Sequence, residues 1–197
     1  MKLVLASASS ARAEMLKRAG IAATIDPADV DEAKIKADCL ARGESVEDAA
    51  LALAEAKARK VAKRHPAALV LGADQMLECA GRWFDKPGDP AQAAAQLRSL
   101  SGRTHRLVSG AVALAEGRPV WQATAAASLT MRPLSDAFIG AYSEAMGAAL
   151  LQSVGGYQIE GLGAQLFTAI EGDLFTIMGL PLLPLLEFLR RQGMLPA

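Results

Sequence analysis

The sequence predicts a mixed α/β fold, and three observations predict it. A short apolar run, Leu3 to Ala6, empties into a stretch rich in helix-capping residues. Strand-like and helix-like runs then alternate along the chain. In the second half two strand-like runs, HRLVSGAVALAEG and RPVWQATAAASLTM, meet at Glu116-Gly117, as a hairpin would. The 197 residues can bury a core without staples. No linker or repeat divides them, so residues 1–197 read as a single domain.

Taken in order, Leu3 to Ala6 is a buried strand. Ser9 or Ser10 caps a helix over Ala11 to Ala19, and Gly20 stops it. Weak alternation marks a short strand near Ala22 to Ile25. Residues 26–44 read as polar and irregular. Ser45 opens the next helix, with Asp48 at capping-box spacing and Leu53 and Val61 on its apolar stripe. ALVLGADQMLEC is strand-like with a corner at Gly72-Ala73-Asp74, and GRWFDKPGDP reads as loop. Asp89, Pro90 and Gln92 open a helix through Leu100. After the hairpin, Ser135 caps a helix to about Met146. The glycine-punctuated run from Gly155 to Pro181 carries short strands, and Leu182 to Gln192 closes the chain as a helix.

The formal net charge is zero, which argues against a protein that tracks nucleic-acid backbone. An anionic ligand would have to meet a local cluster of charge. Cys39 and Cys79 form no CxxC and read as small thiols in a reducing compartment. The start does not read as a signal peptide. The apolar stretch near the end is broken by Pro181, Pro184 and Glu187, too interrupted for a bilayer. A soluble cytoplasmic protein is expected.

Several residues could carry chemistry. A helix beginning right after a strand presents free N–H groups to an anion, and Ser7, Ser9 and Arg12 stand there. A cap with a solvated arginine explains the same residues. Lys57 falls on the apolar stripe of its helix, where it either snorkels or reaches a pocket from beneath. Asp74, placed at a strand's carboxyl edge, could hold a divalent ion or deprotonate water, or it could form an Asx-turn. Gln75 beside it offers an amide to a base edge. Glu32 in DVDEAK, Lys86 in DKPGD and Glu160 in YQIEGLG each read alone as a solvated side chain. Glu160 could also accept the two N–H donors of a guanine edge. His65 and His105 are solitary, and no P-loop or dinucleotide fingerprint is present.

These signals fall in one order, and that order resembles the Maf family of nucleoside triphosphate pyrophosphatases. LASASSAR is similar to the family's opening motif, DVDE to its acidic loop, LALAEAKA to its lysine-bearing helix and LGADQ to its catalytic corner. DKPGD, LRSLSGRTH, GYQIEGLGAQLF and GLPLLPLL follow in place. The resemblance implies an elongated, twisted mixed sheet flanked by helices with a deep nucleotide-binding cleft, in a homodimer. It implies hydrolysis of the α–β phosphoanhydride of a nucleoside triphosphate, giving the monophosphate and pyrophosphate, with Mg²⁺ or Mn²⁺. Asp74 would then be catalytic, and Glu32 and Asp74 would hold the metal. Ser7, Ser9, Arg12, Lys57 and Lys86 would bind the triphosphate. Gln75 and Glu160 resemble the branch acting on 7-methyl-GTP. Ser10 and Ala11 depart from the family's usual residues, and at Ala11 a base-side contact is lost. The competing readings are an inosine triphosphate pyrophosphatase, which Ser7-Ala8-Ser9 disfavours, and a nucleotide-binding regulator of cell division without essential turnover.

Overall fold

The computed structural model describes residues 1–196. Its elements are β1 (Leu3–Leu5), α1 (Ser10–Arg18), β2 (Ala23–Ile25), α2 (Glu32–Ala41), α3 (Val46–Ala62), β3 (Leu69–Cys79), β4 (Arg82–Phe84), α4 (Pro90–Leu100), β5 (Thr104–Ala115), β6 (Arg118–Met131), α5 (Asp136–Met146), β7 (Phe167–Glu171), α6 (Leu174–Ile177) and α7 (Leu182–Arg191). Three short 3-10 turns lie between α5 and β7. The strands form one mixed sheet in the order β2-β1-β3-β5-β6-β7, with β4 also on β3. β1 is parallel to β2 and β3, while β4 and β7 pair antiparallel with β3 and β6.

Two compact units share these strands. The first comprises 1–75, 108–125 and 174–196, and the second 76–107 and 126–173. In the first unit, alternation along β3 sends Leu69, Leu71 and Ala73 to one face with α1 and α7, and Val70 to the other with α3. Leu5 and Leu71 are fully buried, and each contributes about 2 kcal/mol by burial. Gly72 lets α3 lie close on β3, because a Cβ there would overlap the Ala54 carbonyl and crowd Ala58. In the second unit, α4 starts as expected: Asp89 accepts from the Gln92 N–H at 2.7 Å, with Pro90 in the first turn.

Local signals were sound where capping is local. Ser9 caps α1, Ser45 and Asp48 form a full capping box on α3, and Ser135 caps α5. Glu116 and Gly117, both at positive φ, join β5 to β6. Four expectations are corrected. Residues 32–41, read as irregular, form α2, capped by Asp31 accepting from the Lys34 N–H at 2.9 Å. The stretch read as loop contains β4, paired to β3 in register Leu77 to Phe84. The run from Gly155 to Pro181 is mostly turns, with only β7 as a strand. There is also no corner at Asp74: β3 runs straight through it, because its neighbours supply ladder partners along its length.

Candidate active site

β1 stops at Leu5, which pairs with Leu71, while β3 continues. Asp74 therefore lies mid-strand, yet three residues beyond the last β1 partner and next to the carboxyl end of the parallel strands. That is where open α/β sheets expose chain ends to a ligand. Asp74 is 6 % exposed. It shares a β3 face with Gly72, toward α3. Lys57, on the inward stripe of α3, meets it there: Nζ lies 2.5 Å from Asp74 Oδ1 and 2.7 Å from Glu32 Oε1. Of the two readings of Lys57, the inward one is the structure's. Glu32, the first residue of α2, is the half-exposed member of this trio.

Ser7 and Arg12 are also buried. The Arg12 guanidinium donates from Nε to the Gly179 carbonyl at 2.7 Å, and from Nη1 to Ser7 Oγ at 2.9 Å and to the Ala73 carbonyl at 3.1 Å. These bonds use Nε and Nη1 and leave Nη2 outside them. Burial pushes the Arg12 pKa down, while the charges of Asp74 and Glu32 act to raise it. Ser9 caps α1, accepting from the Arg12 N–H at 3.4 Å, while the Ser7 hydroxyl keeps its own hydrogen to donate. Ser9 is thus the cap, while the Ser7 hydroxyl is held by the Arg12 guanidinium. Ala11, in the first turn of α1, is half-buried.

Gln75 does not stand beside Asp74. Adjacent strand residues point to opposite faces, and Gln75 turns to the face of the C-terminal segment. Its Nε2 donates to the carbonyls of Thr176 (2.9 Å) and Ile177 (3.0 Å) and approaches Ser109 Oγ at 3.2 Å. Sequence reasoning missed Ser109 and Thr176, both fully buried. The available signal was a lone serine inside the apolar run VSGAVALA. Lys86 and Glu160 lie exposed in the second unit. Trp121, half-buried, packs against the core, stacked on Phe188 with ring centroids 5.3 Å apart.

The first unit's site pairs two cations, Arg12 and Lys57, with two carboxylates, Glu32 and Asp74, so its charges cancel. Among the described residues no three His, Cys, Asp or Glu side chains gather into a metal cage. Two carboxylates held on one ammonium nevertheless fit Mg²⁺ or Mn²⁺, which needs only one or two carboxylates when phosphate and water complete its shell.

Fold and site define a class: an α/β protein with a buried serine–arginine pair and a lysine-bridged acid pair near the carboxyl end of its parallel strands. The chain belongs to the Maf family, whose model, described as Maf-like protein, matches residues 2–192. It is 54% identical over 190 residues to a nucleoside triphosphate pyrophosphatase of Paramagnetospirillum magneticum, covering 96% of this chain and 98% of the relative. It is 52% identical over 192 residues to a 7-methyl-GTP pyrophosphatase of Mesorhizobium japonicum (98% and 96% covered). A nucleoside triphosphate pyrophosphatase of Rhodospirillum rubrum is 49% identical over 193 residues (98% and 96% covered). No helix among the described residues is long and apolar enough to cross a membrane.

Proposed function

We propose that this protein is a nucleoside triphosphate pyrophosphatase. Water adds across the α–β anhydride, the bridging oxygen leaves on pyrophosphate, and a nucleoside monophosphate remains. The observation that carries this reading is the Lys57 ammonium joining Glu32 and Asp74 beside the buried Arg12. Asp74 takes the proton of the attacking water. Ser7 and the Nη2 side of Arg12 donate to phosphate oxygens, and preorganised donors of this kind contribute most of the catalysis in phosphoryl transfer. Lys57 holds the two acids together. Because the charges of this site cancel, a triphosphate needs further positive charge. Glu32 and Asp74 would hold a divalent ion, which would offset charge on the leaving pyrophosphate. By resemblance, Ser9 at the start of α1 and Lys86 in the second unit assist with the phosphates, and Glu160 reads the base. A homodimer belongs with this reading and is tested by light scattering.

Relatives at similar identity carry both names, so the base is a separate matter. A carboxylate at Glu160 matches the N–H donors of guanine and the positive charge of its 7-methyl form, which makes 7-methyl-GTP the candidate. The test is pyrophosphate release in Mg²⁺ or Mn²⁺ from 7-methyl-GTP, UTP and dTTP. Release from none of them rejects the enzyme. Release from UTP but not from 7-methyl-GTP rejects the base assignment and leaves the chemistry standing.

A further inference from the structure

We propose that Arg64 and His65 are positioning residues: by holding Asp26 they latch the segment 26–32 along α3, and that latch keeps Glu32 on Lys57. The proposal rests on the pyrophosphatase reading only for what Glu32 does once it is in place.

The segment leaves β2 at its carboxyl end. The Asp26 N–H donates to the Leu5 carbonyl at 3.0 Å, just past the last β1–β2 pair, Leu5 with Ile25. The Asp26 carboxylate then takes three donors from the turn that follows α3. Arg64 gives Nε to Oδ2 at 3.0 Å and Nη2 to Oδ1 at 2.7 Å, and His65 Nε2 meets Oδ2 at 2.7 Å. An ionised carboxylate only accepts, so the imidazole nitrogen donates. Arg64 Nη2 also reaches the Pro27 carbonyl at 3.3 Å. A lone ion pair at the surface holds little. Here a two-pronged arginine and a histidine converge on one acid, which fixes its direction as well as its place.

Both ends of the segment rest on α3. The chain stays in a helical turn beyond Ala62, with the Arg64 N–H donating to the Val61 carbonyl at 2.9 Å. Arg64 follows Lys57 by seven residues, so the two cations share one side, about 10 Å apart along the axis. Asp26 takes one, and Glu32, at 2.7 Å, takes the other. Five residues lie between these acids. Such a run could stretch about 20 Å, so it has slack, and its course depends on its anchors.

The other ties are weak ones for Glu32. Ala28 packs on the cluster that holds Val4, Ala58 and Val61, but it offers a single methyl. The Asp31 cap is internal to α2. The one buried residue of α2, Cys39, lies two turns beyond Glu32. With the latch open, Glu32, whose side chain is 45 % exposed, can swing to solvent and leave Lys57 to Asp74 alone. Arg64 therefore acts on the site through Glu32.

The experiment is a double-variant cycle on the full chain. The proteins are wild type, Arg64→Ala, Glu32→Gln and the two together, with Asp26→Asn as a second way to open the latch. Mn²⁺ alone is titrated and followed by electron paramagnetic resonance. kcat/KM is measured on the nucleotide that wild type uses best. Arg64→Ala and Asp26→Asn are each expected to weaken Mn²⁺ binding about fivefold and to lower kcat/KM by about as much. In the Glu32→Gln protein, Arg64→Ala is expected to change neither by more than about twofold. Residues that do not touch usually contribute additively, so the missing second loss is the signature of the latch. If Arg64→Ala fails to fold, Asp26→Asn takes its place in the cycle. Losses that add in the double variant overturn the proposal. So does a lowered Tm with Mn²⁺ affinity and kcat/KM unchanged, which would make the residues merely structural. Wild type that binds Mn²⁺ but cleaves no nucleotide rejects the pyrophosphatase reading, and the Mn²⁺ cycle still decides the latch. Wild type that cleaves without measurable Mn²⁺ binding leaves the decision to the kcat/KM cycle. Wild type that does neither overturns both.

Discussion

In the first unit Arg12, Lys57 and Asp74 are buried beside one another, with Glu32 half-exposed at their edge. In the second unit the buried polar group is His105, and it is neutral: Nε2 meets the Tyr157 hydroxyl at 2.6 Å, and Phe167 packs on both rings. Burial pushes the His105 pKa down to about 4 and that of Tyr157 well up. The first unit keeps charge inside by pairing Lys57 with Glu32 and Asp74 at bonding distance, and by giving Arg12 two carbonyls and a hydroxyl to donate to. The second excludes charge by desolvation. Its Nδ1 has no partner among the described residues, a cost that the aromatic packing offsets. The difference separates the units by task. A paired charge cluster can stabilise charge that develops in a reaction, whereas the buried neutral pair of His105 and Tyr157 packs the start of the turn that leads to Glu160.

The strongest way to break this comparison is Lys57→Met. It leaves two acids facing each other without their cation. Turnover should fall by about a hundredfold or more, and stability by about 3 kcal/mol, read from kcat and from denaturant melts. An active Lys57→Met would mean that the pair is scaffolding.

Next in size is acid sensitivity. His105 binds a proton near its ordinary 6.5 when unfolded and only at about 4 when folded. The unfolded chain therefore takes up more protons in between, and stability falls as pH drops from about 6.5 to about 4. The full loss is on the order of 3 kcal/mol. His105→Phe should flatten that window in thermal melts across pH. Asp26 acts lower down. Hydrogen bonds from Arg64 and then His65 hold it at about 2, so what it contributes persists above its ordinary 3.8 and is lost as pH falls toward 2. An unchanged slope above pH 4.5 in His105→Phe would contradict the neutral-core account.

The smallest effect sharpens the division of labour among the serines. Ser9→Ala removes a cap and should cost about 1 kcal/mol. Ser7→Ala should instead weaken phosphate binding with less change in Tm. Equal effects of the two on pyrophosphate affinity would erase that distinction.

The parts of the molecule legible in sequence were those decided within a few residues. Ser9, Ser45, Asp89 and Ser135 announce their helices because a cap bonds three residues ahead. The spacing from Leu53 and Val61 put Lys57 on the apolar stripe but left its inward reach open, and Ser7 and Arg12 stood out by their place just after a strand, while Asp74 was placed at a strand end that the structure extends past. The rest depends on pairing across the fold. α2 was missed because Cys39 is its only buried residue, so it shows little apolar periodicity. β3 could not be seen to continue past Asp74 without its neighbours. The partners of Gln75 lie 34 to 102 residues away, which no local pattern reports.

The central claim is that the Lys57-bridged acid pair is the reaction centre, and Asp74→Asn tests it most directly. The substitution keeps size and shape and removes the base. Pyrophosphate release from the nucleotide that wild type uses best should fall by about a thousandfold, at a Tm that still reports a folded protein. A folded Asp74→Asn protein releasing pyrophosphate at the wild-type rate would contradict the account.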